Sequence, residues 1–154
     1  MSFLSRVSKA LDAAGVYYAL VGGYAVALHG AVRGTVDIDI VLRWTLRNLE
    51  AAETALGSIG LVSRLPVTAD NVFRFRDEYI RNRNLIAWNF YNPQDLSEQL
   101  DIVISEDLRG KRRVRMDTLN GTVQVLNRKD LIAMKRASGR PQDLADVEAL
   151  EKLR

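Results

Sequence analysis

Thr35–Leu42 reads TVDIDIVL. Its strict alternation places successive side chains on opposite faces of a strand, with Asp37 and Asp39 on one face and Ile38 and Ile40 on the other. Two carboxylates on one strand face repel each other and lower β propensity. Two readings of the pair stand at this point. Either both aspartates keep a solvent face soluble, or they bind a hard divalent cation such as magnesium, which takes oxygen ligands of this kind.

Upstream of that strand, Ser2–Ala14 carries Leu4, Val7 and Leu11 at helical spacing and stops before Gly15. Tyr17–Val21 is a short apolar strand, Gly22-Gly23 breaks it, and Tyr24–His29 predicts a second helix closed by Gly30. A glycine pair there is either an ordinary strand-to-helix turn or a place where backbone N–H groups approach a phosphate closely.

Downstream, Thr45 caps a helix in which Leu46, Leu49, Ala52 and Leu56 keep the period up to Gly57 or Gly60. Leu61–Leu65 predicts a strand stopped by Pro66, whereas residues 69–83 fit helix or strand equally. Leu85–Tyr91 and Gln99–Ser105 predict further strands, and in the second Asp101 faces away from Leu100, Ile102 and Ile104. Val114–Leu119 and Thr122–Leu126 flank Asn120-Gly121, a strong hairpin signal. Asn127 caps a helix through Ala137, with Asp130 in its first turn. After Gly139 and Pro141 a last helix carries Leu144, Val147 and Leu150 on one face. With no repeat, low-complexity run or linker, the pattern predicts one α+β domain over residues 1–154, a mixed sheet with helices packed on it.

Composition bounds the function. The 154 residues suffice for one domain with a sizeable core. Hydrophobic residues at 47% and charged residues at 27% exclude a disordered chain, a collagen-like chain and a coiled coil. The uncharged stretch Ala13–Val32 contains glycines, a histidine and three tyrosines, so it is not a membrane span. The N-terminus lacks the apolar block of a secretory signal, and a cytoplasmic protein is expected. Absence of cysteine excludes disulfides and thiolate metal sites. His29, the only histidine, excludes histidine metal sites and most catalytic triads, and its place before Gly30 predicts a helix-end role.

The net charge is only +3, but Arg109–Arg115, RGKRRVR, holds five basic residues in seven. It is either a solvated edge or a surface that meets phosphates. Arg33 precedes the Asp37 strand and is either a phosphate-facing cation or an idle loop arginine, and Trp44, Trp88 and Tyr91 either stack on a flat ring system or pack.

The order GGYAVALHG, TVDIDIVL and a distant LDIVI resembles the nucleotidyltransferase superfamily built on the DNA-polymerase-beta palm. Its pattern is a glycine pair opening a helix, a D-x-D strand about a dozen residues on, and a third carboxylate on a neighbouring strand. The tail MKRASGRPQDLADVEAL resembles the small bacterial and archaeal branch that includes the abortive-infection (AbiEii-type) toxins, where a lysine, an arginine and an aspartate follow in that order. Many members have a serine after the first glycine; here it is Gly23, a form common in that branch.

The resemblance implies two Mg2+ ions, with Mn2+ as a substitute, held by Asp37, Asp39 and Asp101, and transfer of an NMP from an NTP, ATP foremost. It implies that Gly22 and Gly23 cradle the β- and γ-phosphates and that Lys135 places a charge on them. Arg140 and Asp143 either serve the nucleotide or form an ion pair tying the two last helices. The implied acceptors are tRNA or a protein, or a small hydroxylated molecule such as an antibiotic, with an antitoxin as a regulatory partner. A non-catalytic nucleotide-binding module acting through a partner is the alternative.

Overall fold

Ser2 opens α1 (Phe3–Ala13) by accepting a hydrogen bond from the Ser5 amide, and Leu4, Val7 and Leu11 form its buried stripe. In this computed structural model, residues 1–31, 37–119 and 121–153 are described. All four residues of β1 (Tyr18–Val21) are buried. α2 (Gly22–Leu28) starts at the glycine pair itself, two residues earlier than the sequence suggests. Gly22 has φ +70°, so without a side chain it turns the chain from strand directly into helix.

β2 (Ile38–Leu42) buries Ile38 and Ile40 as the alternation requires. The expected Thr35 and Val36 portion of this strand lies outside the described residues, as does Arg33. In α3 (Leu46–Ser58), Thr45 caps through the Asn48 amide and Leu49, Ala52 and Leu56 are buried. The Asn48 side chain then ties the helix start to both backbone groups of Tyr17 at 2.9 Å.

β3 is only Val62–Ser63, shorter than the expected Leu61–Leu65, and Leu65 is exposed. The ambiguous stretch is two helices, α4 (Ala69–Arg74) behind a Thr68–Asn71 capping box and α5 (Arg76–Arg83). No α5 residue is buried, so that segment has no apolar stripe from which to read a period. β4 (Ala87–Asn92) runs into β5 (Asp95–Val103), which begins before the expected Gln99 because Asp95 already pairs with Asn92.

The hairpin of β6 (Arg113–Thr118) and β7 (Gly121–Leu126) forms as expected; Asn120 of its turn lies outside the described residues. α6 (Arg128–Ser138) is capped by Asn127, which accepts from the Asp130 amide at 3.0 Å, and it ends at Gly139 with φ +64°. α7 (Pro141–Glu151) buries Val147 and Leu150. Leu144, expected on the same face, is 51% exposed. Its place on the buried side is taken by Asp143 and Asp146, because ionic partners await them on α6.

The seven strands form one mixed sheet in the order β3-β4-β5-β2-β1-β7-β6. β2 pairs antiparallel with β1 and parallel with β5. Trp88 is fully buried against Phe90, ring centroids 4.6 Å apart, and its indole N–H donates to Ser63 Oγ at 2.8 Å. That settles Trp88 as a core residue. The architecture is α+β, as the sequence predicts.

Candidate functional site

Register builds the site. Asp39 stands opposite Val21 on β1 and opposite Asp101 on β5. The glycine turn that follows Val21 therefore abuts one carboxylate, and a second carboxylate sits beside it on the next strand. A cleft of about 490 Å3 opens here. Asp37, Asp39, Asp101, Gly22, Gly23, Lys135, Arg140 and Asp143 all line it, so the fold brings every sequence-predicted site residue to one wall or another of the same space. Ile86, Ala87 and Val103 add an apolar flank, and Ser105 and Glu106 a polar rim.

Gly22 cannot be another residue without movement. A Cβ there would lie 2.2 Å from Asp39 Oδ2. The missing side chain is what lets the start of α2 and the carboxylate share this corner.

Burial pushes the Asp39 carboxyl up to about 6, and the neighbouring charges of Asp101 and Asp37 push in the same direction. Lys135 and Arg140 oppose that rise from across the cleft. A site with this imbalance of negative charge suits a cation. Among the described residues no three acidic or histidine side chains converge on one point in a metal-holding arrangement. What unites Asp37, Asp39 and Asp101 is the shared cleft and their mutual field.

The opposite wall comes from the last two helices. Lys135 is 8% exposed, and its Nζ lies 3.0 Å from Asp146 and 3.4 Å from Asp143. Arg140 donates to Asp143 through Nε at 2.7 Å and through its backbone N–H at 3.2 Å. The guanidinium hydrogen bonds hold Asp143 below its ordinary carboxylate range. The Arg140–Asp143 pair is local to the start of α7; the two helices are tied by buried Lys135, gripped by Asp143 and Asp146, and by the exposed Arg136–Glu151 pair.

Several residues sit elsewhere. His29 is not a ligand: its Nε2 meets the Leu126 carbonyl at 2.7 Å, fastening the end of α2 to β7. Trp44 lies under Arg76 and Tyr91 under Arg64, at 4.4 and 4.5 Å. The basic segment lines a second concavity with Arg112, Arg113, Arg115 and Lys129. Arg113 is committed to structure, donating to the Tyr18 carbonyl at 3.0 Å and covering the Tyr17 ring. Arg109, Arg112 and Arg115 are exposed.

Glu106 and Asn89 escape a reading of the sequence, whereas Asp146 stands out there only as an acidic residue that follows Lys135 and Arg140. Asp146 grips Lys135, Glu106 lines the cleft, and Asn89 donates to Asp101 Oδ1 at 2.8 Å. Only Asn89 had a signal, its place between Trp88 and Phe90 in a strand of period two, and that signal needs the strand pairing to be meaningful.

No family model matches the chain, and no curated protein matches it significantly. Solved structures do. The lincosamide antibiotic adenylyltransferase LnuA, lincomycin-bound, superposes with a TM-score of 0.62 at 14% identity, over 99% of this chain and 96% of that one. An antigenic nucleotidyltransferase-like protein from Paracoccidioides brasiliensis gives 0.59 at 17% identity, over 95% and 72%. ANT(2")-Ia in complex with adenylyl-2"-tobramycin gives 0.59 at 12% identity, over 96% and 84%. Among the described residues no helix is long and apolar enough to cross a membrane. The chain has the fold of these nucleotidyltransferases.

Proposed function

We propose that the protein is a metal-dependent nucleotidyltransferase that moves an NMP from an NTP, ATP foremost, to an acceptor hydroxyl or phosphate. The observation that carries this reading is the meeting of Asp37, Asp39 and Asp101 in one cleft with the glycine turn at Gly22-Gly23. Divalent magnesium, or manganese in its place, supplies charge neutralisation on the triphosphate and lowers the cost of ionising the acceptor. Asp37 and Asp39 would hold the metal, and Asp101 would complete the ligand set or accept the acceptor proton. Gly22 and Gly23 let backbone N–H groups at the start of α2 approach the phosphates. Lys135 presents positive charge to them from α6, and Arg140 does so from its exposed position over Asp143. The acceptor oxygen attacks the α-phosphorus as the bond to the pyrophosphate oxygen breaks, and the acceptor proton passes to a carboxylate.

A small hydroxylated acceptor fits the apolar flank of Ile86, Ala87 and Val103, and two of the structurally similar proteins are bound to lincomycin or to adenylyl-2"-tobramycin. A second reading, an RNA or protein acceptor in a toxin with an antitoxin partner, is favoured by the exposed arginines of the segment Arg109–Arg115. The test incubates the chain with each α-labelled NTP and magnesium, in the presence of total RNA, cell extract or a panel of aminoglycosides and lincosamides. Label transferred to one acceptor class by the wild type, and lost in an Asp37→Ala, Asp39→Ala double variant, supports the enzyme. Magnesium-dependent ATP binding without transfer to any acceptor supports a non-catalytic nucleotide-binding module instead.

A further inference from the structure

We infer that Asn89 is a positioning residue for Asp101, itself held in place by Arg64 from the edge of the sheet; the inference rests on the nucleotidyltransferase reading above. Asn89 and Asp101 are direct partners across β4 and β5. Asn89 Nδ2 donates to Asp101 Oδ1 at 2.8 Å, and Asn89 Oδ1 accepts from Arg64 Nε at 2.7 Å.

The chemistry of the two ends fixes the amide's orientation. A guanidinium only donates and an ionised carboxylate only accepts, so the amide oxygen must face Arg64 and the amide nitrogen must face Asp101. Arg64 is not free to drift, although it is exposed. Its guanidinium lies 4.5 Å over the Tyr91 ring and its backbone N–H donates to the Asn89 carbonyl at 2.9 Å. The result is a three-residue relay running from Arg64, just after β3, through Asn89 on β4 to Asp101 on β5 in the cleft. One oxygen of Asp101 is engaged, which fixes the plane of the carboxylate and leaves Oδ2 for a metal or an acceptor proton.

Asparagine suits that middle position because it can accept from one side and donate to the other while adding no charge to three clustered aspartates. Outer-shell partners of metal ligands act in this way, and losing one costs about 10- to 100-fold in metal affinity or activity.

The experiment measures Mn2+ binding to the full chain by electron paramagnetic resonance, for the wild type, Asn89→Leu and Arg64→Gln, with thermal melts of each. The expected result is Mn2+ affinity weakened about tenfold or more in Asn89→Leu and by a smaller factor in Arg64→Gln. In transfer assays kcat should fall while the KM for the NTP holds. A purely structural asparagine would lower the melting temperature and leave the Mn2+ affinity of the folded protein alone. Affinity of Asn89→Leu within twofold of wild type overturns the inference, and if that variant does not fold, an unchanged affinity in Arg64→Gln does so. Failure of the wild type to bind Mn2+ at all overturns the functional reading and this inference with it, which separates the two.

Discussion

Gly22 and Asp39 occupy one corner of the molecule only because Gly22 has no side chain: its Cβ would stand 2.2 Å from the Asp39 carboxylate oxygen. The same residue has φ +70°, a conformation that L side chains adopt at a cost of about 1–3 kcal/mol. Turn and site are therefore one feature.

Gly22→Ala should lose that backbone energy and also displace Asp39 or the start of α2. Urea denaturation is expected to show a loss on the order of 2 kcal/mol or more, with nucleotide binding falling further than stability alone explains. Gly57→Ala, where a Cβ meets nothing within 4 Å, is the matched control and should be neutral or slightly stabilising.

Asp39 makes the metal-free protein sensitive to pH. The folded state holds its proton more tightly than the unfolded chain, so this stabilisation is complete below about 3.8 and fades as pH rises through about 6. Ionised Asp39 at pH 8 then costs on the order of 2–3 kcal/mol. Asp39→Asn should accordingly be more stable than wild type at pH 8 in chelator and lose that advantage by pH 4. Denaturation midpoints at the two pH values check the sign.

Lys135 bridges α6 to α7 through Asp143 and Asp146 where almost no solvent reaches. Removing the cation takes Lys135 from two buried carboxylates, of which Asp143 keeps Arg140 and Asp146 keeps the Gln142 amide, so Lys135→Met should destabilise by about 2–4 kcal/mol. A Lys135→Met, Asp146→Leu double variant should recover part of that loss, and a thermodynamic cycle measures the coupling.

On α7, Leu144→Glu should change stability by no more than about 0.5 kcal/mol, since Leu144 is exposed. Val147→Glu should destabilise severely, because Val147 is 6% exposed and its helix face packs inward. Melting temperatures of the two variants distinguish the observed face of α7 from the one in which Leu144 points to the core.

The sequence by itself determined what depends on neighbours a few residues away. Ser2, Thr45 and Asn127 cap helices because each side chain reaches an amide three residues on, and that needs no fold. The alternation through Ile38, Asp39 and Ile40 likewise specifies which side chains are buried once a strand forms. The glycine pair and the three aspartates were grouped by the resemblance of their order along the chain, not by local geometry, and their sharing one cleft is a property of the fold.

The tertiary structure alone decided which strand lies beside which and which charge meets which. Nothing local to Asp39 says that Asp101, sixty-two positions on, stands next to it, or that Asn89 donates to Asp101 while accepting from Arg64. Lys135 lines the cleft and is held by two aspartates of the next helix, a pairing that its own stretch of sequence does not specify, and Leu144 lost the buried face of α7 to those aspartates. Periodicity sorts residues by apolarity, whereas a buried ion pair is favourable only after both partners have left water together. That condition is met by the packing of whole helices, beyond the reach of any short stretch of chain.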